Sequence, residues 1–269
     1  MSTPAIPQPR DLANKPLVEA VFEVRWALRN QGPLTDDPGF QLFQGRYYDR
    51  VRERYPYAKA LPAAGVPEAM TGHTVRQQFR ASEDGWPVTQ IGPGILTVNE
   101  TVEYSWDSFE PLVRDAVKAL FDAYPEKIAK LRPTQVVLRY INVICDPWDL
   151  PKTPLLQFLR DKLHISIDLE RLLFDSDSHA DSPHGLNLNL TYQLESPDCL
   201  AGANFAVGES NGKRALIFEI TVQTSPERAP QSVDAIGKWT KEAHEVVDKW
   251  FFALIRGDLL SNFENRNEL

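Results

Sequence analysis

Cysteine is scarce in this sequence, and the two that occur, Cys145 and Cys199, lie far apart and in no C-x-x-C pair. We therefore expect neither a disulfide framework nor a structural zinc site. Long apolar runs are also missing: none approaches the about 20 residues that a membrane-spanning helix needs. The proline-rich residues 1–16 lack the apolar centre of a signal peptide. These absences predict a cytoplasmic protein in a reducing compartment.

Basic residues are too few for a protein that wraps nucleic acid or coats an anionic membrane. Lys and Arg number 29 against 37 Asp and Glu, which gives a formal net charge of −8. Such partners attract proteins that carry a local excess of Lys and Arg. We therefore expect neither nucleic acid nor a membrane as partner. A protein, a small anionic ligand or a second copy of this chain are the alternatives.

The motifs of common enzyme classes are absent from the sequence. It contains no G-x-S-x-G elbow, no Walker loop, no G-x-G-x-x-G and no H-E-x-x-H. Gly92-Pro93-Gly94 precedes a predicted strand rather than a helix, so it indicates a turn and not a phosphate loop. We expect no cofactor, and the chain is interpreted as non-enzymatic.

One segment could bind a metal ion. Residues 175–184, called the acidic loop below, place Asp, Asp, His and Asp at every second position, and these are side chains that divalent cations accept. An EF-hand would need Gly at Ala180 and Glu at Leu186, so that identity fails. A solvated loop is the simpler interpretation, and a metal-dependent hydrolase or nuclease-like effector that uses this loop is the alternative function.

Helical and strand periodicities alternate clearly along the chain. The first strand shows the pattern well, because apolar Ala20, Phe22, Val24 and Trp26 occupy every second position. Asn211-Gly212 is a strong hairpin signal between two later strands. The pattern predicts strands at 17–28, 74–81, 87–91, 95–100, 134–145, 186–194, 202–208 and 214–223, and helices at 40–55, 109–124, 155–163 and 232–255.

This element order predicts an α+β protein with an internal duplication. After a flexible lead-in at 1–15, residues 16–130 and 131–257 each follow the order β-α-β-β-β-α, and 258–269 form a C-terminal tail. The predicted sheet is mainly antiparallel with helices on one face. The order resembles the duplicated TATA-binding-protein-like architecture, in which two halves share one curved sheet. Sequence identity between the opening strands is only one residue in five, so the duplication is predicted from element order.

Four short motifs resemble those of a bacterial protein family that has about this length and no established activity. They are P-L-V-E-A-V-F-E-V-R at 16–25, Y-S-W-x-x-F at 104–109, R-Y-I-N at 139–142, and His244 with Phe251. Members of that family are sporadically distributed among genomes. The resemblance therefore implies a protein of the bacterial accessory genome, with a defence or toxin–antitoxin role as one context.

A polar surface is predicted on the sheet face that points away from the core. Alternation places Glu19, Glu23 and Arg25 there, and Arg76 in the next strand. In the second half it places Asn187 and Asn189 on the same face, whereas the orientation of Arg139 stays open because Val137 and Ile141 share its side. Guanidinium forks suit carboxylate or phosphate groups, and rows of amides suit extended peptides. The alternative is a solvated face on which Glu23, Arg25 and Arg76 pair across strands.

The last predicted helix contributes two further candidates. His244 lies at the edge of its apolar stripe, where it is either half of an acid–base pair with a strand carboxylate or a packing histidine that caps a polar atom. Phe252 falls outside the stripe and is a candidate exposed anchor for a partner. We therefore interpret the chain as a partner-binding, ligand-binding or regulatory protein without catalytic or metal-ligating residues. The predicted binding residues are Glu19, Glu23, Arg25, Arg76, Arg139, Asn187, Asn189 and His244.

Overall fold

The computed structural model describes residues 12–31, 34–101, 103–145, 153–168, 183 and 185–264. These residues form one α+β arrangement of antiparallel strands and α-helices. The strands are β1 Leu17–Trp26, β2 Arg29–Gln31, β3 Leu34–Asp36, β4 Tyr57–Ala60, β5 Gln77–Arg80, β6 Val88–Gly92, β7 Ile95–Glu100, β8 Pro133–Ile144, β9 Asn187–Glu195, β10 Asp198–Ser210 and β11 Lys213–Gln223. The helices are α1 Phe40–Val51, α2 Trp106–Ala123, α3 Leu155–Leu163, α4 Val233–Ile255 and α5 Asp258–Glu264. Among these helices, none combines the length and the hydropathy that crossing a membrane requires.

One nine-stranded sheet spans the molecule in the order β4-β5-β6-β7-β1-β8-β11-β10-β9, and β2 pairs only with β3. Every pairing is antiparallel. Strands β1 and β8 lie side by side near the middle, with Phe22 opposite Leu138. The predicted α+β class and antiparallel sheet are therefore confirmed, and the nine described strands other than β2 and β3 belong to one continuous sheet.

The helices cover one face of this sheet. The even-numbered residues of β1 from Ala20 to Trp26 are completely buried, and so are Val136 and Leu138 in β8. Helices α2 and α4 pack on β7, β8 and β11, so these side chains form the core between the two layers. Each fully buried apolar side chain of this size contributes about 1.5–3 kcal/mol. The odd-numbered residues consequently point to the opposite face, as the period of two predicts.

A buried carboxylate joins four elements at one end of the core. Asp37 is only 2% exposed. It accepts hydrogen bonds from the Trp26 indole at 2.9 Å, from the Tyr124 hydroxyl at 2.7 Å, and from the backbone amides of Gly39 and Gly94 at 3.0 Å each. Gly94 has a φ of +72° in the turn between β6 and β7, a conformation that favours glycine. The predicted turn at Gly92-Pro93-Gly94 is confirmed.

Two expectations for the C-terminal region differ from the structure. Residues 258–264, expected within a tail, form helix α5, whose Leu259, Leu260 and Phe263 are buried. The prediction that Phe252 is an exposed anchor is wrong, because its side chain is only 4% exposed. Helix α5 packs against α4, and its apolar residues belong to the same core cluster as Phe252. The apolar part of α4 is therefore wider than its sequence stripe indicates.

Candidate functional site

A cavity of about 350 Å³ lies between the helices and the sheet, where β1 begins and β8 ends. This volume is within the range of small-molecule sites, about 300–1,000 Å³. The walls come from the segment before β1, the start of α2, the end of β8 and the second half of α4. The lining residues are Leu12, Lys15, Pro16, Leu17, Tyr104, Ser105, Trp106, Asp107, Tyr140, Asn142, His244, Val247, Asp248, Phe251 and Phe252.

Local sequence explains how these side chains meet. The Ser105 hydroxyl accepts a hydrogen bond from the Ser108 amide and caps α2, which places Tyr104 just before the helix and Trp106 in its first turn. In α4, spacings of three and four residues place His244, Val247, Asp248 and Phe251 on one side of the helix. That side faces the cavity. The site is therefore assembled from a helix cap and one helical stripe.

Four polar side chains form a continuous chain along one wall, called the Tyr–His–Asp chain below. The hydroxyls of Tyr104 and Tyr140 lie 2.5 Å apart, and the Tyr140 hydroxyl is 3.1 Å from Nδ1 of His244. Nε2 of His244 is 3.4 Å from an oxygen of Asp248. With the imidazole proton on Nε2, Tyr104 donates to Tyr140 and Tyr140 donates to Nδ1. In this tautomer Nδ1 is hydrogen-bonded, whereas Nε2 lies beside the Asp248 carboxylate at ion-pair distance without hydrogen-bond geometry.

Burial sets the charges of this chain. It lowers the pKa of His244 to about 4 and raises the pKa of Asp248 to about 6. It also raises the pKa of both tyrosines well above the ordinary value. At neutral pH the imidazole is therefore neutral, the hydroxyls are protonated and the carboxylate is mainly ionised. The ionised carboxylate faces a neutral imidazole, so within the described part of the chain it has no cation within ion-pair distance.

Aromatic rings hold the imidazole in place. The ring of Trp106 stacks on that of His244 with centroids 3.8 Å apart and an angle of 11°. Tyr140 meets the same imidazole edge-on at 6.1 Å, and Tyr104 packs edge-on against Tyr140 at 5.3 Å. The histidine is thus held by stacking together with its hydrogen bond to Tyr140, which gives the cavity a preformed aromatic wall.

The predicted binding residues fall into two places. His244 lies in the cavity and contacts the Tyr140 hydroxyl, which is the packing arrangement that the sequence suggested. Its carboxylate neighbour, Asp248, comes from the same helix and not from a strand. The remaining seven belong to strands or to the residue before β5, away from this cavity: Glu19, Glu23, Arg25, Arg76, Arg139, Asn187 and Asn189. The structure therefore does not unite the predicted residues in a single site.

The expected cross-strand pairing of Arg76 is wrong. Its guanidinium donates to the carbonyls of Val66 and Ala64 at 2.8 and 2.9 Å, and to the Thr71 hydroxyl at 3.2 Å. These bonds attach residues 64–71 to the sheet. The Arg76 backbone amide does bond to the Ile91 carbonyl of β6 at 2.8 Å, so the strand pairing continues past the start of β5 while the guanidinium is engaged elsewhere. Arg76 is therefore occupied by a structural role.

The central polar residues of β1 and β8 have different surroundings. Glu19 accepts a hydrogen bond from the Asn99 amide at 2.7 Å. Nε of Arg25 is 2.6 Å from Glu23, but the contact lacks hydrogen-bond geometry, so it is an ion pair along one strand. Arg139 lies at an odd-numbered position of β8 and points away from the helices, which settles its open orientation; within the described ranges its buried Nε has no hydrogen-bond partner.

Sequence reasoning missed most of the cavity residues. Asp248 follows His244 by four residues, a helical spacing that could have indicated a pair. Tyr140 occupies an even-numbered position of β8 and therefore faces the helices. Trp106 and Tyr104 had been noted only as part of a motif. Each of the four motifs that support the family resemblance contributes at least one lining residue.

The acidic loop, 175–184, lies outside the described residues except for Pro183. Within the described residues, no group of three or more His, Cys, Asp or Glu side chains could hold a metal ion. The metal-dependent alternative therefore stays a prediction that depends on the loop alone.

Comparisons with known proteins give little further information. No family model matches the sequence, and no curated protein matches it. DynU16, a protein of the dynemicin biosynthetic locus, shares 11% identity and a TM-score of 0.25 over 92% of this chain and 98% of its own. The di-domain ARO/CYC protein StfQ of the steffimycin biosynthetic pathway shares 10% identity and a TM-score of 0.21 over 91% and 97%. At these scores neither likeness carries an argument about this chain.

Proposed function

We propose that this protein is a non-enzymatic binding protein that takes a small aromatic amine into the cavity. One observation carries the proposal: an aromatic-walled cavity of about 350 Å³ ends in the half-buried carboxylate of Asp248, which lacks a cationic partner among the described residues. A mostly apolar wall with a few convergent polar groups is the usual form of a small-molecule site.

The walls favour an apolar, ring-shaped body for the ligand. Trp106, Phe251 and Phe252 contribute aromatic surface, and Leu17 and Val247 contribute aliphatic surface. Aromatic pairs add about 0.5–1.5 kcal/mol beyond the burial of their area. A ligand with one aromatic ring would therefore gain from both contributions.

The charges favour a cationic group on that ligand. The lining contains one basic side chain, Lys15, against two acidic ones, Asp107 and Asp248, while His244 is neutral at neutral pH. Lys15 donates to the Tyr104 carbonyl at 2.8 Å. An ammonium group beside Asp248 would also lie near aromatic faces, which attract cations by about 0.5–2 kcal/mol.

The Tyr–His–Asp chain supports binding rather than catalysis. Nδ1 of His244 is hydrogen-bonded to the Tyr140 hydroxyl, and Nε2 lies 3.4 Å from the Asp248 carboxylate. A general base needs a free lone pair directed at the substrate, and with the proton on Nε2 the only lone pair of this imidazole accepts from Tyr140. The Asp248 carboxylate beside Nε2 is then the group that a bound cation would meet.

An isosteric series of probes tests the proposal: 2-phenylethylamine, 2-phenylethanol and phenylacetate. Binding is measured by calorimetry and by the change in tryptophan fluorescence, which should be lost in Trp106→Phe. We expect the amine to bind best and the acid worst. Asp248→Asn should remove this order of affinities. Glu245 is an exposed carboxylate on the same helix, so Glu245→Gln should preserve the order.

A second pair of variants tests the location. Leu17→Trp places a large side chain in the cavity and should abolish binding of all three probes. Val18→Trp changes the neighbouring residue, which is 40% exposed, and should leave binding intact. Equal binding of phenylacetate and the amine, or an amine preference that survives Asp248→Asn, would contradict the proposal.

We also propose that the fold arose by internal duplication. Its support is the strand order, because β1 and β8 open the two halves and are central neighbours. The last strands, β7 and β11, flank them on either side, followed by β6 and β10. Related sequences in which the two halves align residue by residue would test the duplication.

The cellular setting is a separate proposal. Cys145 and Cys199 are both free thiols, which supports a reducing cytosol. The family resemblance supports a place in the bacterial accessory genome, in a defence or toxin–antitoxin context. The identity of the neighbouring genes would test this assignment.

A further inference from the structure

A second depression, of about 200 Å³, lies on strands β9, β10 and β11. It exists because Gly202 has no side chain between Thr191 and Thr221, its partners on the two neighbouring strands. The surrounding side chains are mainly polar and belong to the sheet face that points away from the helices. Its lining includes Asn189, Asn204, Glu219, Thr221 and Gln223.

Two acceptors in this depression have unused capacity. Oδ1 of Asn204 is buried and has no hydrogen-bond partner among the described residues. The Glu219 carboxylate accepts a bond from the Thr221 hydroxyl at 2.9 Å, and among the described residues no Lys or Arg pairs with it. A buried acceptor without a donor is unfavourable, so a ligand that donates hydrogen bonds here would remove that cost.

A donor with unused capacity lies next to this depression. Arg139 is directly opposite Thr221, on the side away from Gly202, and no residue in the described part of the chain hydrogen-bonds to its buried Nε. Glu219 is opposite Ile141, so Arg139 and Glu219 are diagonal neighbours on adjacent strands. Long side chains in diagonal positions can meet, but in the described structure no ion pair joins these two.

We propose that this surface binds a small zwitterion of the amino-acid class. Its ammonium group occupies the depression, where Glu219 and Asn204 accept hydrogen bonds, and its carboxylate binds the guanidinium of Arg139. A guanidinium presents a planar fork that matches a carboxylate. Such a ligand would bind Arg139, Glu219 and the Asn204 amide oxygen at the same time.

Ligands with a single charge fit less well. A simple ammonium ion would be attracted by Glu219 but repelled by the positive charge of Arg139 nearby. A simple carboxylate would be attracted by Arg139 but repelled by the negative charge of Glu219. Opposite charges at the two ends of one molecule are therefore the discriminating property of the ligand.

The proposal is independent of the aromatic cavity. The two sites share no lining residue, and they draw on side chains from opposite faces of the sheet. Failure of either set of binding experiments therefore leaves the other proposal unchanged.

The test uses glycine, 4-aminobutanoate and 6-aminohexanoate, which separate the two charges by different lengths, with butylammonium and butanoate as monofunctional controls. Binding is followed in ¹H–¹⁵N spectra through the side-chain amides of Asn189, Asn204 and Gln223 and the backbone amide of Gly202. We expect saturable shifts of these signals with at least one zwitterion. Both controls should bind at least about tenfold more weakly, as expected when one charge-assisted interaction is lost.

Gly202→Val fills the depression without disturbing the strand. A Cβ at Gly202 would meet the Leu190 carbonyl oxygen at 3.4 Å, an ordinary contact, with no closer neighbour. β-branched residues are favoured in strands, so we expect the variant to keep its thermal midpoint and to lose zwitterion binding.

Arg139→Gln tests the carboxylate end, with Arg25→Gln as its matched control because Arg25 pairs with Glu23 along β1. We expect a loss of at least about tenfold for Arg139→Gln and little change for the control. Three results would each overturn the proposal: no zwitterion shifts the reporter signals, butylammonium binds as tightly as the best zwitterion, or Gly202→Val retains binding.

Discussion

The buried pair of His244 and Asp248 should contribute almost no pH dependence to stability between about pH 4 and pH 6, although both pKa values are strongly shifted. In the unfolded chain the ordinary values are 6.5 and 3.8, and in the folded protein they are about 4 and about 6. In that pH range the pair therefore binds one proton in either state. The proton is on the imidazole when the chain is unfolded and on the carboxyl group when it is folded. Because stability depends on pH only through the difference in bound protons, the two contributions cancel.

Asp248→Asn removes the contribution of the carboxyl group to the pH dependence of stability and should reveal the contribution of His244. The folded pKa of His244 is lowered from 6.5 to about 4, so between these values the unfolded state binds more protons. The free energy of unfolding should therefore rise with pH across this range, by about 3 kcal/mol in total relative to wild type.

His244→Gln should have the opposite effect. The folded pKa of Asp248 is raised from 3.8 to about 6, so the folded state binds more protons between these values. The free energy of unfolding should therefore fall as the pH rises through that range, again by about 3 kcal/mol.

Urea denaturation at several values between about pH 4 and pH 7 measures these slopes. Other ionisable groups contribute equally to all variants, so the differences from wild type isolate the pair. Glu245→Gln, which removes an exposed carboxylate from the same helix, should follow the wild-type profile. An Asp248→Asn profile parallel to that of wild type would refute the reasoning.

Three further predictions concern stability, thiol reactivity and metal dependence. Asp37→Ala leaves four buried donors without an acceptor and should lower the free energy of unfolding by at least about 4 kcal/mol. Asp36→Ala, at the partly exposed pair with Arg29, should cost about 0–1 kcal/mol in the same urea titration. Burial raises the pKa of Cys199 to about 11, so Ellman's reagent should label Cys145 alone in the folded protein; rapid labelling of both thiols would contradict this. The thermal midpoint should be unchanged by EDTA, and a decrease that one cation reverses would support the metal-dependent alternative.

Strands and helices with a buried face were predictable from the sequence. Alternation in β1 and β8 and the stripe of α4 arise directly from burial on one side. The hairpin between β10 and β11 was predictable because Asn211 and Gly212 adopt φ values of 51° and 73°, which their residue types favour. Strand β4 was missed because all four of its residues are exposed. Its position is defined by backbone pairing and leaves no hydrophobic pattern.

The candidate sites were predictable only in part. His244 and the orientation of most strand residues followed from periodicity. The neighbours of His244 did not, because Tyr140 is 104 residues away in the sequence and only the packing of α4 on β8 brings them together. Likewise, the depression at Gly202 depends on the register of β9, β10 and β11. Local patterns determine which face a side chain occupies, whereas long-range register determines its neighbours.

The central pairing of β1 with β8 has a consequence for folding. The two strands are distant in the chain, and the bond from the Thr134 hydroxyl to the Arg25 carbonyl already spans 109 residues. Contacts of such sequence separation slow folding, because chain entropy is lost before the contact forms. Each half without the other would expose the long edge of its most buried strand, a surface prone to aggregation. We therefore expect a single cooperative unfolding transition, and we expect that neither half folds when it is expressed alone.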